Sequence, residues 1–261
     1  MKLGTYAILA ERAARAGGEV LLAWEGRFRT REKAPRDLVT DADLASQEAI
    51  RALVAREFPD HAFLGEEAAV ADLPEQAAWC WIVDPLDGTA NYVHGLPYYC
   101  VSVALAHHGQ VVCGCVFQPR TGECFVAEAG GGAYLDGDRL RVSRVNDLSQ
   151  AMLAASFSPK VERTSPAVTQ FVEALLAAQS LRRMGAAALN LAYLAAGRFD
   201  AYWAADTKVW DVAAGLLLVQ EAGGVVTGLT GAPVSLAQPA FAAAATSELH
   251  AELMALIGGD V

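Results

Sequence analysis

The stretch Trp81-Ile82-Val83-Asp84-Pro85-Leu86-Asp87-Gly88-Thr89 decides how this chain is read. An apolar run of strand character delivers Asp84, Pro85 bends the chain, and Asp87 follows three residues on. Two carboxylates that close repel one another, and burying them is costly unless cations stand between them. A turn suits carboxylates and carbonyl oxygens that coordinate a hard cation such as Mg²⁺. Gly88 and Thr89 then offer backbone N–H groups at an expected helix start, where a phosphate can be held. The competing explanation is a strand that ends in an ordinary Asp-Gly turn.

Three further acidic segments bear on the choice. Phe63-Leu64-Gly65-Glu66-Glu67 puts an acid at a strand end, where a solvated Glu pair is the simpler reading. In Asp37-Leu38-Val39-Thr40-Asp41-Ala42-Asp43, a capping box between Thr40 and Asp43 accounts for Asp43 without chemistry. Trp210-Asp211-Val212-Ala213-Ala214 opens a helix, and the helix dipole alone favours Asp211 in its first turn. Four such segments in one chain argue for a shared site.

Bulk properties narrow the function classes. The 261 residues suffice for one large or two modest domains, and 54% of them are hydrophobic. No window is long and apolar enough to suggest a membrane span, and Glu11, Arg12, Arg15 and Glu19 interrupt the N-terminal apolar pattern. A cytoplasmic protein with no membrane partner is expected. The net charge of −10 argues against nucleic acid binding through a basic surface, since Glu32 interrupts the one candidate cluster, Arg27–Lys33. Cys80, Cys100, Cys113, Cys115 and Cys124 lack zinc spacing and read as buried free thiols.

Helix and strand signals alternate in two blocks. Helical spacing runs from Leu3 to Trp24, and a second helix is expected from Thr40 to about Phe58. Strands are expected at His61–Leu64, Trp79–Val83, Val101–Ala106, Val111–Gln118 and Glu123–Ala127, with a hairpin turn at Asp136-Gly137-Asp138. After Asn146 the pattern becomes α/β. Strands are expected at Met152–Ala155, Asp200–Trp203, Val225-Val226 and Phe241–Ala245. Helices are expected at Pro166–Ala178, Ala187–Ala196 and Val212–Ala222, with a last helix capped by Ser247. This suggests one compact unit, an α+β half at residues 1–146 and an α/β half at 147–261.

Together the acidic segments resemble the inositol monophosphatase family of lithium-sensitive, Mg²⁺-dependent phosphatases. Asp37-Leu38-Val39-Thr40 with Asp43, then Gly65-Glu66-Glu67, Asp84-Pro85-Leu86-Asp87-Gly88-Thr89-Ala90-Asn91, Trp210-Asp211-Val212-Ala213 and Glu221-Ala222-Gly223-Gly224 stand in the family's order. The resemblance implies a five-layer αβαβα fold, usually a homodimer. It implies Mg²⁺ ligands at Glu66, Asp84, the Leu86 carbonyl, Asp87 and Asp211. Thr89, hydrogen-bonded to Asp43, would orient or deprotonate the attacking water, with Glu66 in the same catalytic group. Gly88 and Thr89 amides would hold phosphate, while Gly185, Ala186, Ala187 and Asp211 would meet substrate. The implied reaction is hydrolysis of a small phosphate monoester, inositol monophosphate first, without a covalent phosphoenzyme.

Haloacid-dehalogenase-type phosphatases also carry Asp-Gly-Thr after a strand, but their nucleophilic Asp falls where this chain has Pro85. One departure from the inositol-specific pattern stands out. Seven residues before Asp211, where a Glu would contact substrate hydroxyls, this chain has Ala204. Histidinol phosphate, fructose 1,6-bisphosphate and 3′-phosphoadenosine 5′-phosphate therefore remain alternative substrates. An interaction protein built on the same fold is the alternative of a different class.

Overall fold

A computed structural model describes residues 3–67, 77–158 and 160–258. Helix α1 (Thr5–Trp24) buries Ala7, Ala10, Ala13, Ala14 and Leu21, the stripe its spacing predicts. A two-stranded hairpin follows, β1 (Thr30–Ala34) and β2 (Asp37–Thr40). The next helix, α2 (Asp41–Glu57), starts at a capping box in which Thr40 and Asp43 exchange hydrogen bonds.

The larger sheet has seven strands in sequence order. They are β3 (Ala62–Gly65), β4 (Trp79–Asp87), β5 (Cys100–His107), β6 (Gln110–Phe117), β7 (Cys124–Glu128), β8 (Gly132–Leu135) and β9 (Asp138–Arg139). Only the β3–β4 pair is parallel. The β8–β9 turn is Asp136-Gly137, both at positive φ, as Asp-Gly in a tight hairpin requires. Short helix α3 (Thr89–Val93) lies between β4 and β5.

The smaller sheet has five strands, β10 (Met152–Ser156), β11 (Ser180–Arg182), β12 (Ala201–Ala204), β13 (Val225–Thr227) and β14 (Phe241–Ala244). Their order is β11-β10-β12-β14-β13, with the first three parallel. Helices α4 (Pro166–Ala177), α5 (Ala187–Ala195), α6 (Val209–Glu221) and α7 (Ser247–Gly258) complete the chain.

Packing sets these elements in five layers. α1 and α2 cover one face of the seven-stranded sheet, α5 and α6 fill the space between the sheets, and α4 and α7 cover the far face. Alternation along β4 shows how sequence makes the layers. Trp81 and Val83 join the core under α1, whereas Cys80 and Ile82 face the central helices. Close approach is needed at the centre, since a Cβ at Gly114 would stand 2.7 Å from Ala214 Cα on α6. All five cysteines are free and buried. Among the described residues, no helix is long and apolar enough to cross a membrane.

Three local expectations change. β4 does not stop at Val83 but continues to Asp87 through a bulge, with Asp84 opposite Ser102 and Asp87 opposite Cys100. Pro85 falls in that bulge, where its missing N–H costs no ladder hydrogen bond. α6 begins at Val209, three residues before the expected start at Val212, so Asp211 is its third residue. Ser247 is the first residue of α7 instead of its cap, and the Thr246 hydroxyl accepts from Leu249 N at 3.3 Å.

Candidate active site

The acids arrive from four elements. Gly65 pairs in parallel with Val83, and Glu66 N donates to Val83 O at 3.0 Å, so Glu66 emerges beside Asp84. The bulge aims Asp84 inward, where one of its oxygens accepts from Leu86 N at 2.9 Å. Buried Ser46 of α2 donates to the Pro85 carbonyl at 3.0 Å and pins the bulge from the other side. Asp87 accepts from Ala187 N at 3.0 Å and Ala188 N at 2.7 Å, so it caps α5 from a hundred residues away. Asp211 accepts from Lys208 N at 2.9 Å, closing the first turn of α6.

Electrostatics shows that these acids form one group. Burial raises the Asp84 pKa well above the ordinary carboxylate range, and the charges of Glu66, Asp87 and Asp211 add to it. Asp211 is raised in the same way, first by burial and then by Asp87. Asp87 is pushed up to about 7 by burial, against the opposing amides of Ala187 and Ala188. Asp43 rises to about 6, again from burial, although the Thr40 hydroxyl and amide favour its charged form.

Thr89 stands over this group. Its hydroxyl lies 3.2 Å from Asp43 Oδ1 and 3.1 Å from the Leu86 carbonyl. Gly88 precedes it at φ 95°, and a Cβ there would meet the Tyr98 carbonyl at 3.0 Å and the Ala186 Cβ at 3.2 Å. The glycine therefore lets the Gly185–Ala187 loop close onto the Asp87-Gly88-Thr89 turn. Asn91 locks the two together, donating to Tyr98 O at 2.7 Å and Met184 O at 2.8 Å.

Contacts join Asp43, Leu86 and Thr89, and join Asp87 to the Gly185–Ala187 loop. Glu66 follows strand β3 beside Asp84, and Asp211 follows Trp210, whose carbonyl accepts from Ser102 opposite Asp84; the acids are engaged with protein donors. Among the described residues, no three His, Cys, Asp or Glu side chains already gather as ligands around one point. The chemistry of the donor set nevertheless fits a hard divalent cation. It offers carboxylates, those of Asp84 and Asp87 buried, a backbone carbonyl, and no sulfur or imidazole among them, and neighbouring acid charges push Asp84 and Asp211 upward.

Lys33 is the residue that sequence reasoning passed over. From the β1–β2 hairpin its ammonium reaches Glu66 Oε1 at 2.7 Å and Glu67 Oε1 at 2.8 Å. Burial disfavours the ammonium, yet the two carboxylates outweigh it and hold its pKa above the ordinary lysine range. A cation of the protein's own thus sits on one of the expected metal ligands. Its only signal in the sequence was a lysine in a short charged run.

Solved structures of the same layered architecture belong to inositol monophosphatases and proteins named suhB. The extragenic suppressor protein suhB from Bartonella henselae aligns with a TM-score of 0.92 at 32% identity, covering 99% of this chain and 100% of that one. Inositol monophosphatase from Anabaena aligns at 0.86 and 33% identity, covering 97% and 95%. Among curated proteins, Nus factor SuhB of Xylella fastidiosa is 43% identical over 225 residues, 85% of this chain and 81% of its own. Inositol-1-monophosphatase of Rhizobium meliloti is 43% identical over 201 residues, 76% of this chain and 75% of its own. The model of the inositol monophosphatase family matches residues 3–259. The chain belongs to the inositol monophosphatase family.

Proposed function

We propose that this protein hydrolyses small phosphate monoesters, with inositol monophosphate as the first substrate to test, using water activated at divalent cations. The observation that carries the reading is the pair of buried carboxylates on β4, Asp84 and Asp87, with the half-buried Asp211 of α6 close enough for its charge to act on Asp84, and with the Thr89 hydroxyl on the Leu86 carbonyl between them. Buried acids that repel are costly to keep without a counter-charge, which is the condition a cation relieves.

In this reading Glu66, Asp84, the Leu86 carbonyl, Asp87 and Asp211 hold the cations, with Mg²⁺ the natural choice for an oxygen donor set. Cations bound there would acidify water and neutralise the charge that develops on the phosphoryl oxygens. The chain's own residues do the remaining work. Asp43 accepts the Thr89 hydroxyl proton, leaving the Thr89 oxygen to accept from the attacking water and orient it. Gly88 and Thr89 amides hold the phosphoryl group, and Gly185, Ala186, Ala187 and Asp211 border the leaving group. A homodimer is part of the same reading, checked by its mass in solution.

Phosphate release with added Mg²⁺, with excess chelator and with lithium tests the reading. Release should need the cation and fall with lithium; full activity in chelator would overturn it. Some relatives carry the name Nus factor, so a role in binding other macromolecules on the same fold is the second reading. A cation-dependent turnover lost in Asp211→Asn would show that chemistry is present whatever else the fold does.

A further inference from the structure

Strands β11, β10 and β12 lie side by side and parallel, so their carboxyl ends meet at one edge of the smaller sheet. In open α/β sheets ligands collect outside such ends. Two of these three ends already feed the site. β11 leads through Arg183 and Met184 into the Gly185–Ala187 loop, and β12 leads through residues 205–208 to Asp211. The middle strand, β10, ends in Ser156.

Ser156 is half-buried and is the open end of a buried polar chain. Its Oγ lies 2.7 Å from the Tyr202 hydroxyl, and Tyr202 is fully buried. Asn190, also fully buried, lies in α5 next to the Tyr202 phenol. Its Oδ1 accepts from the Tyr98 hydroxyl at 2.8 Å, which fixes which way round the amide sits. Among the described residues its Nδ2 has no partner at hydrogen-bonding geometry, although it is buried. The phenol is near enough to Asp87 and Asp211 for both charges to act on it, after burial itself.

The orphan amide sets the direction of the chain. An unpaired buried N–H is costly, so the Tyr202 oxygen is drawn to accept from Asn190. The 2.7 Å contact by itself allows either hydroxyl to donate; with the Tyr202 oxygen accepting from Asn190, the phenol proton goes to Ser156 Oγ and the Ser156 proton donates outward. Ser156 is also the register partner of Ala204, the position that lacks the acid expected for inositol recognition. A neutral hydroxyl therefore stands beside the place where a carboxylate is missing.

We propose that Ser156, oriented by Tyr202 and Asn190, is a specificity-determining residue that donates a hydrogen bond to a hydroxyl of the leaving group. The favoured substrates are monophosphates of hydroxyl-rich leaving groups, and this rests on the phosphatase reading above. Tyr202 and Asn190 are positioning residues that act through Ser156.

Steady-state kinetics on myo-inositol 1-phosphate and p-nitrophenyl phosphate tests this, using Ser156→Ala, Ser156→Thr and Tyr202→Phe with melting curves for each. Ser156→Ala should lower kcat/KM for the polyol phosphate by about three- to tenfold, the range for one neutral hydrogen bond, chiefly through KM. Aryl phosphate hydrolysis should stay within about twofold, since that leaving group presents no hydroxyl to Ser156. Ser156→Thr keeps the hydroxyl and should retain most of the polyol activity, while Tyr202→Phe should shift the polyol KM in the direction of Ser156→Ala. Unchanged polyol kinetics in Ser156→Ala, or equal losses on both substrates, would overturn the inference and leave the phosphatase reading intact. A wild type that releases phosphate from neither substrate would overturn both.

Discussion

Thr89 Oγ1 lies 3.2 Å from Asp43 Oδ1 and 3.1 Å from the Leu86 carbonyl oxygen, so two acceptors face a single hydroxyl proton. Asp43 is held from behind, because its other oxygen accepts from Thr40 Oγ1 at 2.5 Å and Thr40 N at 2.9 Å. The capping box at the start of α2 and the contact to Thr89 therefore share one carboxylate. Structural and catalytic explanations of Asp43 need not compete, since each uses a different oxygen.

Thr89→Ala should lower kcat by about a hundredfold, within the range for a lost general acid–base group, with a smaller change in KM. The backbone amide assigned to phosphate survives the substitution. Thr89→Ser keeps the hydroxyl and should recover most of the loss. A steep rise in KM at constant kcat would instead place Thr89 in ground-state binding.

Asp87→Asn and Asp211→Asn should each reduce kcat by about a hundredfold or more, as the loss of a major electrostatic group commonly does. Both variants should fold. Asn retains a side-chain carbonyl, which at Asp211 can still accept from Lys208 N. At Asp87 only one of the two α5 amides keeps its acceptor, so this variant carries a capping loss that Asp211→Asn avoids. Circular dichroism beside turnover assays separates the two effects. Near-normal turnover in both would remove these acids from the catalytic group.

The raised carboxylates make a prediction about pH. A folded-state pKa above the unfolded value means that the folded protein keeps a proton which the unfolded chain has already lost. For Asp87, between about 4 unfolded and about 7 folded, stability should fall as pH rises and then level off above that window. Asp43, Asp84 and Asp211 act in the same sense. His61 and His250, held low by burial, act oppositely as pH falls through the histidine range. The clean measurement is the difference in melting temperature between wild type and Asp87→Asn in chelator from about pH 4.5 to 8, which brackets the unfolded and folded values. The wild type should lose ground relative to the variant as pH rises, and a divalent cation should reverse the trend. A difference that stays flat with pH would show that Asp87 ionises normally.

What sequence could reveal follows from where the physical signal lies. The Thr40–Asp43 cap, the Asp136-Gly137 turn and the apolar stripe of α1 are local, and their spacing carries them. Strand β1, Thr-Arg-Glu-Lys-Ala, has no alternation because nearly all of it is exposed, so the hairpin carrying Lys33 left no pattern to read. Asp87 shows the other limit. Its sequence neighbours announce a turn, while the amides it caps belong to residues a hundred positions later. The acids of the site were visible as residue types, but their partners depend on how the two sheets stack.

Ala204 offers the sharpest test of substrate preference. It is fully buried at the end of β12, opposite Ser156 on one side and Phe241 on the other. Asp206, the nearest acid along the chain, lies in the exposed bend that follows, clear of the strand. A Glu at 204 could reach from the strand end toward the leaving group, and a hydrogen bond to a charged group contributes about 1.5–3 kcal/mol. Ala204→Glu should therefore raise kcat/KM for inositol monophosphate by roughly tenfold, with p-nitrophenyl phosphate nearly unchanged because both substrates share the phosphoryl site. The cost should appear in stability, because the new carboxylate leaves a site lined by Tyr202 and Phe241 and adds to the charge of Asp87 and Asp211. Melting temperature should drop without substrate and recover in part when a polyol phosphate is bound. If both substrates change in parallel, or if Asp206→Ala alone abolishes inositol phosphate turnover in the wild type, recognition runs through the bend and not through the end of β12.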